Sequence, residues 1–224
     1  MKPLNQQNNF IYLFFSLIIL LFSSAVVVEF PGSFGNDVFS FIILLMLVVS
    51  HKSVHTDATW KWTTYSIIAI FTILTILTKF ITHEFSVYLI LLTLLIFFVS
   101  AFMTAVRQVL FVGDIDTHKI IGSLTLYILL GLIWAVIYLM ILALDPQAFS
   151  GIEVGNWQQM FSRVAYYSFV TLTTLGYGDI LPTNHIAEFF VYMEAIVGVF
   201  YMAIIVSSLI SLRMAAIEEE KKKK

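Results

Sequence analysis

The sequence has no cysteine and few charged residues, and each shortage excludes a class of protein. Without cysteine, the 224-residue chain has no disulfide framework, no thiolate metal site and no cysteine nucleophile. Charged residues make up only 12% of the chain, whereas an ordinary soluble domain carries about 25%. That shortage, together with the high apolar content, excludes a disordered protein and leaves no room for a large soluble domain.

What the sequence does contain is long apolar stretches. Hydrophobic residues make up 60% of the chain and the mean hydropathy is +0.95, which is typical of a membrane protein with several spans. At about 20 apolar residues per span, we interpret six stretches as membrane-spanning. They run from Phe10 to Val28, Val38 to Ser50, Thr63 to Phe80, Phe85 to Val106, Ile120 to Leu144, and Ile186 to Leu212.

The distribution of basic residues predicts the orientation of these spans. Six spans with a cytoplasmic N-terminus put ten of the twelve lysines and arginines inside, leaving Lys79 and Arg163 outside. The ten are Lys2, Lys52, Lys61, Arg107, Lys119, Arg213 and Lys221 to Lys224. We therefore expect a multi-pass protein of the cell membrane with both termini in the cytoplasm. The first apolar run is long for a signal peptide, and we expect it to be retained as a span.

The segment between the fifth and sixth spans has a pattern of its own. Trp157 to Thr174 is too short to cross the membrane and return, so we predict a short helix, about Gln158 to Thr173, followed by an extended segment. Irregular backbone at membrane depth must line a cavity or be buried in protein. Gly176 and Gly178 lie two residues apart, where glycine permits the alternating φ signs that point successive carbonyls to one side. Such carbonyls can replace the water shell of a cation.

The sequence Thr171-Leu-Thr-Thr-Leu-Gly-Tyr-Gly-Asp179 resembles the selectivity filter of potassium channels of the tetrameric pore-loop superfamily. The resemblance covers about Ile120 to Leu212 and is nearest to prokaryotic six-span channels that lack a charged voltage sensor. Most members have Val or Ile where this chain has Leu175. The resemblance implies an all-α membrane protein with six transmembrane helices, a re-entrant pore helix and a selectivity filter.

The resemblance also implies roles for individual residues. The K⁺ filter would consist of Thr174, Leu175, Gly176, Tyr177 and Gly178, supported by Thr173, Tyr166, Tyr167 and Asp179. Gly198 falls at the gating-hinge position, and Val199, Met202 and Val206 would approach the cavity wall.

The roles of the two tyrosines, of Gly198 and of a further residue, Glu194, have alternatives. The two tyrosines are also compatible with plain packing of a buried helix, and Gly198 with close packing between helices. Glu194 is a carboxylate inside a span and therefore a functional candidate. It is a possible brace for the pore helix, a contact for ions, or a cap on a buried hydrogen bond.

The resemblance divides the chain into four parts. Residues 1–112 would form a voltage-sensor-like four-helix unit, 113–119 a cytoplasmic linker, 120–212 the pore domain and 213–224 a short charged tail. The fourth span has no lysine or arginine before Arg107 at its inner end. Because a voltage sensor needs several such charges within the span, we expect weak or no intrinsic voltage dependence.

The predicted function is passive K⁺ conduction by a homotetramer, since each chain supplies one filter segment and four are needed around a pore. We expect no cofactor besides the permeant K⁺ and no nucleic acid partner. Lys221 to Lys224 either contact anionic lipid or form a solvated helix end. The main alternative is a weakly selective cation channel. A K⁺-uptake subunit would need four filter-like repeats, and an intramembrane enzyme would need a nucleophile and base that the sequence does not show.

Overall fold

The computed structural model describes residues 9–30, 32–53, 58–80, 84–111, 117–207 and 214. Six helical segments within these ranges are long and apolar enough to cross a membrane. They are α1 (Asn9–Val27), α2 (Ser33–Ser53), α3 (Ala58–Phe80), α4 (Glu84–Phe111), α5 (Thr117–Leu144) and α7 (His185–Phe200), the last continuing as a π-helical segment, Tyr201–Val206. A shorter helix, α6 (Trp157–Leu172), lies between α5 and α7. The predicted all-α membrane fold is confirmed.

Several helix boundaries differ from the sequence prediction: α3 begins at Ala58 rather than Thr63, and α4 ends at Phe111 rather than Val106. Helix α2 begins at Ser33 rather than Val38, because the polar residues 33–37 continue the helix although hydropathy does not count them as part of a span. The last span changes from α-helical to π-helical at Tyr201, within an apolar run that shows no break in hydropathy. Helix α6 lies within one residue of its predicted bounds.

The first four helices pack against the later part of the chain rather than standing apart from it. Helix α4 lies along α5, where the Tyr88 hydroxyl donates a hydrogen bond to the carbonyl of Ala143. Helix α1 contacts both α5 and α6, and α2 contacts α6. Since lipid tails are as apolar as the helix surfaces, these contacts depend on close van der Waals packing more than on exclusion of water.

Three threonine hydroxyls on α3 donate hydrogen bonds to backbone carbonyls of the same helix. Thr72 donates to the carbonyl of Ile68 at 2.7 Å, and Thr75 to that of Phe71 at 2.8 Å. Thr78 donates to the carbonyl of Thr75, also at 2.8 Å. Threonine in a helix commonly satisfies its hydroxyl in this way, so these residues do not form a polar path through the four-helix unit.

A small antiparallel clamp joins the two loops around α6. Strand β1 (Phe149–Ser150) pairs with β2 (Leu181–Pro182), with Phe149 opposite Pro182 and Ser150 opposite Leu181. Thr183 extends the clamp, since its N–H donates to the carbonyl of Ala148 at 2.9 Å. The loop that leaves α5 is therefore fixed to the segment that leads into α7.

Two predicted parts lie mostly outside the described residues. Of the linker 113–119, the structure describes only the start of α5, and of the tail 213–224 only Met214. Lys221 to Lys224 are not among the described residues, so lipid contact there stays a prediction.

Candidate functional site

Helix α6 positions the candidate site. It begins after Asn156, whose backbone is extended, and it ends at Leu172, followed by Thr173, whose N–H donates to the carbonyl of Phe169 at 3.0 Å. Its buried side chains recur at helical spacing and include Phe161, Val164, Ser168 and Leu172. That face packs against α5 and α7, so the exposed segment that follows leaves the helix at a fixed point.

The segment after α6 has an alternating backbone. Thr174, Gly176 and Gly178 have positive φ angles of 60°, 57° and 78°, whereas Leu175 and Tyr177 between them do not. Thr174 is the only non-glycine residue with positive φ in the part of the chain that the structure describes. Such a conformation is unfavourable for a threonine and persists only where the surroundings impose it. Alternation of this kind turns successive carbonyl oxygens toward the same side of the chain.

The lower part of this segment is attached to the end of α6. The N–H groups of Leu175 and Gly176 both donate to the carbonyl of Val170, at 2.9 and 3.3 Å. The Thr174 N–H donates to the carbonyl of Thr171 at 2.9 Å. The N–H groups of Thr174, Leu175 and Gly176 therefore already have acceptors on α6. The carbonyls of these residues are the backbone groups that remain available to a ligand. The negative end of the α6 dipole lies at the same place and favours a cation.

The upper end of the segment is held at Asp179. The Tyr166 hydroxyl lies near the Asp179 carboxylate, and the Arg163 guanidinium lies 4.0 Å from the same carboxylate. Arg163 also lies over the Tyr166 ring, 5.6 Å from its centroid, and donates to the carbonyl of Gly151 at 3.1 Å. Partial burial and the nearby Asp179 carboxylate raise the pKa of Tyr166 above its usual value. Its hydroxyl therefore remains a donor through the neutral range.

The neighbouring Tyr167 has different surroundings. Its ring packs against Tyr138 and Phe149, with centroids 5.4 and 5.6 Å away. Its hydroxyl interacts with the side chain of Thr171, one turn further along α6. Of the adjacent tyrosines, Tyr166 thus contacts the exit of the segment, and Tyr167 packs behind it. Thr173, the third predicted support, turns its hydroxyl back to the carbonyl of Phe169 at 2.7 Å.

Glu194 lies directly behind α6 and is fully buried. Its Oε1 is 2.6 Å from the Ser168 hydroxyl on α6, and its Oε2 accepts from the Tyr138 hydroxyl on α5. Ser168 also donates to the carbonyl of Gly131 on α5 at 2.7 Å. Glu194 is recognisable from the sequence as a functional candidate, but its partners are not. The available signal was that a carboxyl inside a span requires polar partners, yet hydropathy does not show which hydroxyls face it.

Gly198 lies where α7 closely approaches the end of α6. A Cβ atom at this position would lie 2.3 Å from the carbonyl oxygen of Leu172, so only glycine fits. One turn later the Tyr201 hydroxyl donates to the carbonyl of Ser123 at 2.5 Å, and its ring packs on Tyr127 with centroids 5.2 Å apart. The geometry gives Gly198 a packing role, while its role as a gating hinge stays a prediction.

The cation ligands that this site offers are backbone oxygens. No cluster of three or more His, Asp or Glu side chains suited to a metal ion occurs within the described ranges. Residues 174–178 are exposed in the single chain, so their backbone carbonyls and the Thr174 hydroxyl are accessible to a ligand. Oxygens of this type suit a partly dehydrated alkali cation.

The comparisons with known proteins agree with this geometry. Residues 123–214 match a protein-family model described as "Ion channel". Neither the comparison with curated proteins nor that with solved structures found a match. The matched region extends from α5 through α6 and the alternating segment to the end of α7. It indicates an ion channel of the pore-loop type, which is a multi-pass membrane protein and not an enzyme.

Proposed function

We propose that the chain forms a potassium-selective channel that conducts K⁺ passively across the cell membrane. The observation that carries this proposal is the alternation of φ at Thr174, Gly176 and Gly178. It directs successive carbonyls to one side over the residues that resemble a potassium filter. A K⁺ ion would exchange its water shell for these oxygens and advance by repulsion between ions at neighbouring sites.

We propose that four copies of the chain assemble around one pore. Each chain supplies a single carbonyl-bearing segment, which can surround only part of an ion. The side chains of Leu175 and Tyr177 are 55% and 67% exposed in the single chain, so the segment offers surface for neighbouring copies. A closed cyclic arrangement places four identical segments around the axis.

The proposed orientation has both termini in the cytoplasm, on the basis of the basic-residue distribution. The exit of the filter at Asp179 then faces outside, as do the exposed pair Lys79 and Asp37, whose charged atoms are 3.0 Å apart. In this arrangement the first four helices surround the pore unit without supplying gating charges.

A measurement of the reversal potential tests the selectivity. Purified protein is reconstituted in a planar bilayer with K⁺ on one side and an equal concentration of Na⁺ on the other. We expect a reversal potential far toward the K⁺ limit. A reversal near zero with sustained current would contradict the proposal and support a weakly selective cation channel.

Matched glycine variants connect that measurement to the filter. Gly178→Ala places a side chain at a φ of +78°, and we expect loss of K⁺ current or of selectivity. Gly155→Ala is the control, because its Cβ would meet only the flexible end of Gln159 at 3.1 Å. Equal behaviour of the two variants would argue against a filter at residues 174–178. Native mass spectrometry of the same samples tests the tetramer.

A further inference from the structure

Three helices of the channel meet at a buried polar cluster formed by Tyr138, Ser168 and Glu194. All three side chains are fully buried, and they come from α5, α6 and α7 respectively. The cluster lies behind α6, one turn before the Gly198 contact with the end of that helix. It is therefore placed to fix the pore helix, and with it the filter, relative to the outer and inner helices.

The hydrogen-bond geometry of the cluster requires one more proton than the hydroxyls supply. The Ser168 oxygen lies 2.7 Å from the Gly131 carbonyl and 2.6 Å from Oε1 of Glu194. Both distances are hydrogen-bond distances, and two oxygens approach so closely only with a proton between them. Ser168 carries a single hydroxyl proton, and a backbone carbonyl carries none.

The missing proton has one remaining source. If Ser168 donates to Gly131, the proton between Ser168 and Glu194 must belong to the carboxyl. If Ser168 donates to Glu194 instead, its oxygen faces the Gly131 carbonyl at 2.7 Å with no proton between them. The Tyr138 hydroxyl cannot supply this proton, because it is used in donating to the other carboxyl oxygen, Oε2.

The surroundings of Glu194 agree with a neutral group. The polar groups that act on it are the hydroxyls of Ser168 and Tyr138, with Tyr127 and Tyr167 further away. No lysine, arginine or histidine pairs with Glu194 among the residues that the structure describes. An isolated carboxylate without water or a cation is strongly unfavourable, whereas the neutral acid can both donate and accept.

We propose that Glu194 is a protonated positioning residue whose carboxyl proton orders a hydrogen-bond chain across three helices. Tyr138 donates to Oε2, the carboxyl donates through Oε1 to Ser168, and Ser168 donates to the carbonyl of Gly131. Each donor in this chain then has one acceptor. This inference rests on the proposed function in one respect: the helix that the hydrogen-bond chain holds in place, α6, is taken to be the pore helix. Its test does not depend on K⁺ selectivity.

Infrared spectroscopy of the full-length protein in lipid vesicles tests the protonation directly. We expect the spectrum at neutral pH to contain a carbonyl stretching band of a protonated carboxyl, and Glu194→Gln to remove it. Glu188→Gln is the matched control, because Glu188 is on the same helix but 53% exposed, beside His185. We expect the control to leave the band unchanged. If Glu194→Gln leaves the spectrum without any loss of an acid band, the proposal is wrong, whatever ion the channel conducts.

The thermal stability of the same variants distinguishes a Glu194 that donates a hydrogen bond from one that only fills space between the helices. A glutamine amide can donate to Ser168 and accept from Tyr138, so it reproduces the pattern of a neutral acid. We therefore expect Glu194→Gln to keep the thermal stability of the parent protein, and Glu194→Ala and Ser168→Ala to lower it. Equal loss in Glu194→Gln and Glu194→Ala would overturn the proposal. If these results are obtained but the reversal potential shows no K⁺ selectivity, the proposed channel function is wrong and the protonation of Glu194 still stands.

Discussion

Phe39 of α2 lies against Phe161 of the pore helix, with their ring centroids 5.2 Å apart. Both rings are fully buried, and Trp157 lies beside them, 6.2 Å from Phe39. The four-helix unit thus contacts the pore helix of the same chain through aromatic rings. A change in the position of α2 would be transmitted to the start of α6, the helix that leads into the proposed filter.

We expect Phe39→Ala to destabilise the pore helix. Truncating a buried phenylalanine typically costs about 3–5 kcal/mol of stability, because it leaves a cavity. The expected result is a lower melting temperature and less K⁺ current per reconstituted protein. Phe41→Ala is the control, since Phe41 is on the same helix but 63% exposed. Similar losses in both variants would show that the contact with Phe161 has no special role.

We expect Gly198→Ala to separate the inner helix from the pore helix. The new Cβ would lie 2.3 Å from the carbonyl oxygen of Leu172, which is backbone and cannot turn away. The expected result is loss of current together with lower thermal stability. Adding Ala195→Gly to this variant distinguishes packing from hinging. The added glycine restores a flexible point in α7, but the new Cβ at position 198 still clashes with the Leu172 carbonyl. Recovery of current would therefore support a hinge role rather than a packing role for Gly198.

We expect Tyr166→Phe to weaken the exit of the filter without unfolding the protein. The change removes the hydroxyl that interacts with the nearby Asp179 carboxylate and leaves the ring under Arg163. Long depolarisations should then produce faster decay of the K⁺ current than in the parent channel. Tyr192→Phe, at an exposed position of α7, should have no effect. Unaltered decay in Tyr166→Phe would show that the Asp179 contact does not hold the filter.

The same contact has an expected dependence on pH. The pKa of Tyr166 is raised in the folded protein, so the neutral donor is favoured there. Burial, and then the nearby Asp179 carboxylate, thus favour the neutral hydroxyl in the folded protein. The stability linked to it is fully present below the unfolded tyrosine pKa of about 10 and is lost as the pH rises through the higher folded value. Current decay in the parent channel should stay constant from neutral pH to about pH 9 and quicken only beyond it. An increase already near neutral pH would point to a different group.

We expect the conductance to depend weakly on voltage. Each elementary charge that crosses the field contributes about 2.3 kcal/mol per 100 mV, and the part of α4 from Phe85 to Val106 carries no charged residue. Single-channel open probability between −100 and +100 mV should change only slightly. A steep sigmoidal curve would require charges that move elsewhere in the chain.

The sequence predicted the features that hydropathy and the filter motif encode. The six spans follow from apolar run length, and the short helix before Gly176 follows from a segment too short to cross twice. The positive φ at Gly176 and Gly178 was expected from glycine spacing. The positive φ at Thr174 was not, because threonine rarely adopts it and its neighbours impose it.

Contacts between helices were beyond the reach of the sequence. Ser168 and Tyr138 are each one of several hydroxyl-bearing residues on α6 and α5, and nothing in their spacing indicates that both face Glu194. The contact of Phe39 with Phe161 joins residues far apart in the chain, and any of several phenylalanines would fit it by composition. The sequence contains no signal for the π-helical segment, because Tyr201–Val206 is uniformly apolar apart from the Tyr201 hydroxyl.

That π-helical segment has a consequence for the phase of the inner helix. A π-turn behaves as an α-helix with one residue inserted, and one residue corresponds to a rotation of about 100°. Ser207 therefore lies about 100° short of the position about the axis that uninterrupted α-helical counting from Phe200 would give it. The expected pore-facing set Val199, Met202 and Val206 assumed a single continuous helix. Deleting one residue within Tyr201–Val206 would remove the inserted residue and leave the lower helix in the phase that it has in the structure, whereas closing the π-turn without a deletion would rotate that helix by about 100° and present a different side of it to the proposed conduction path.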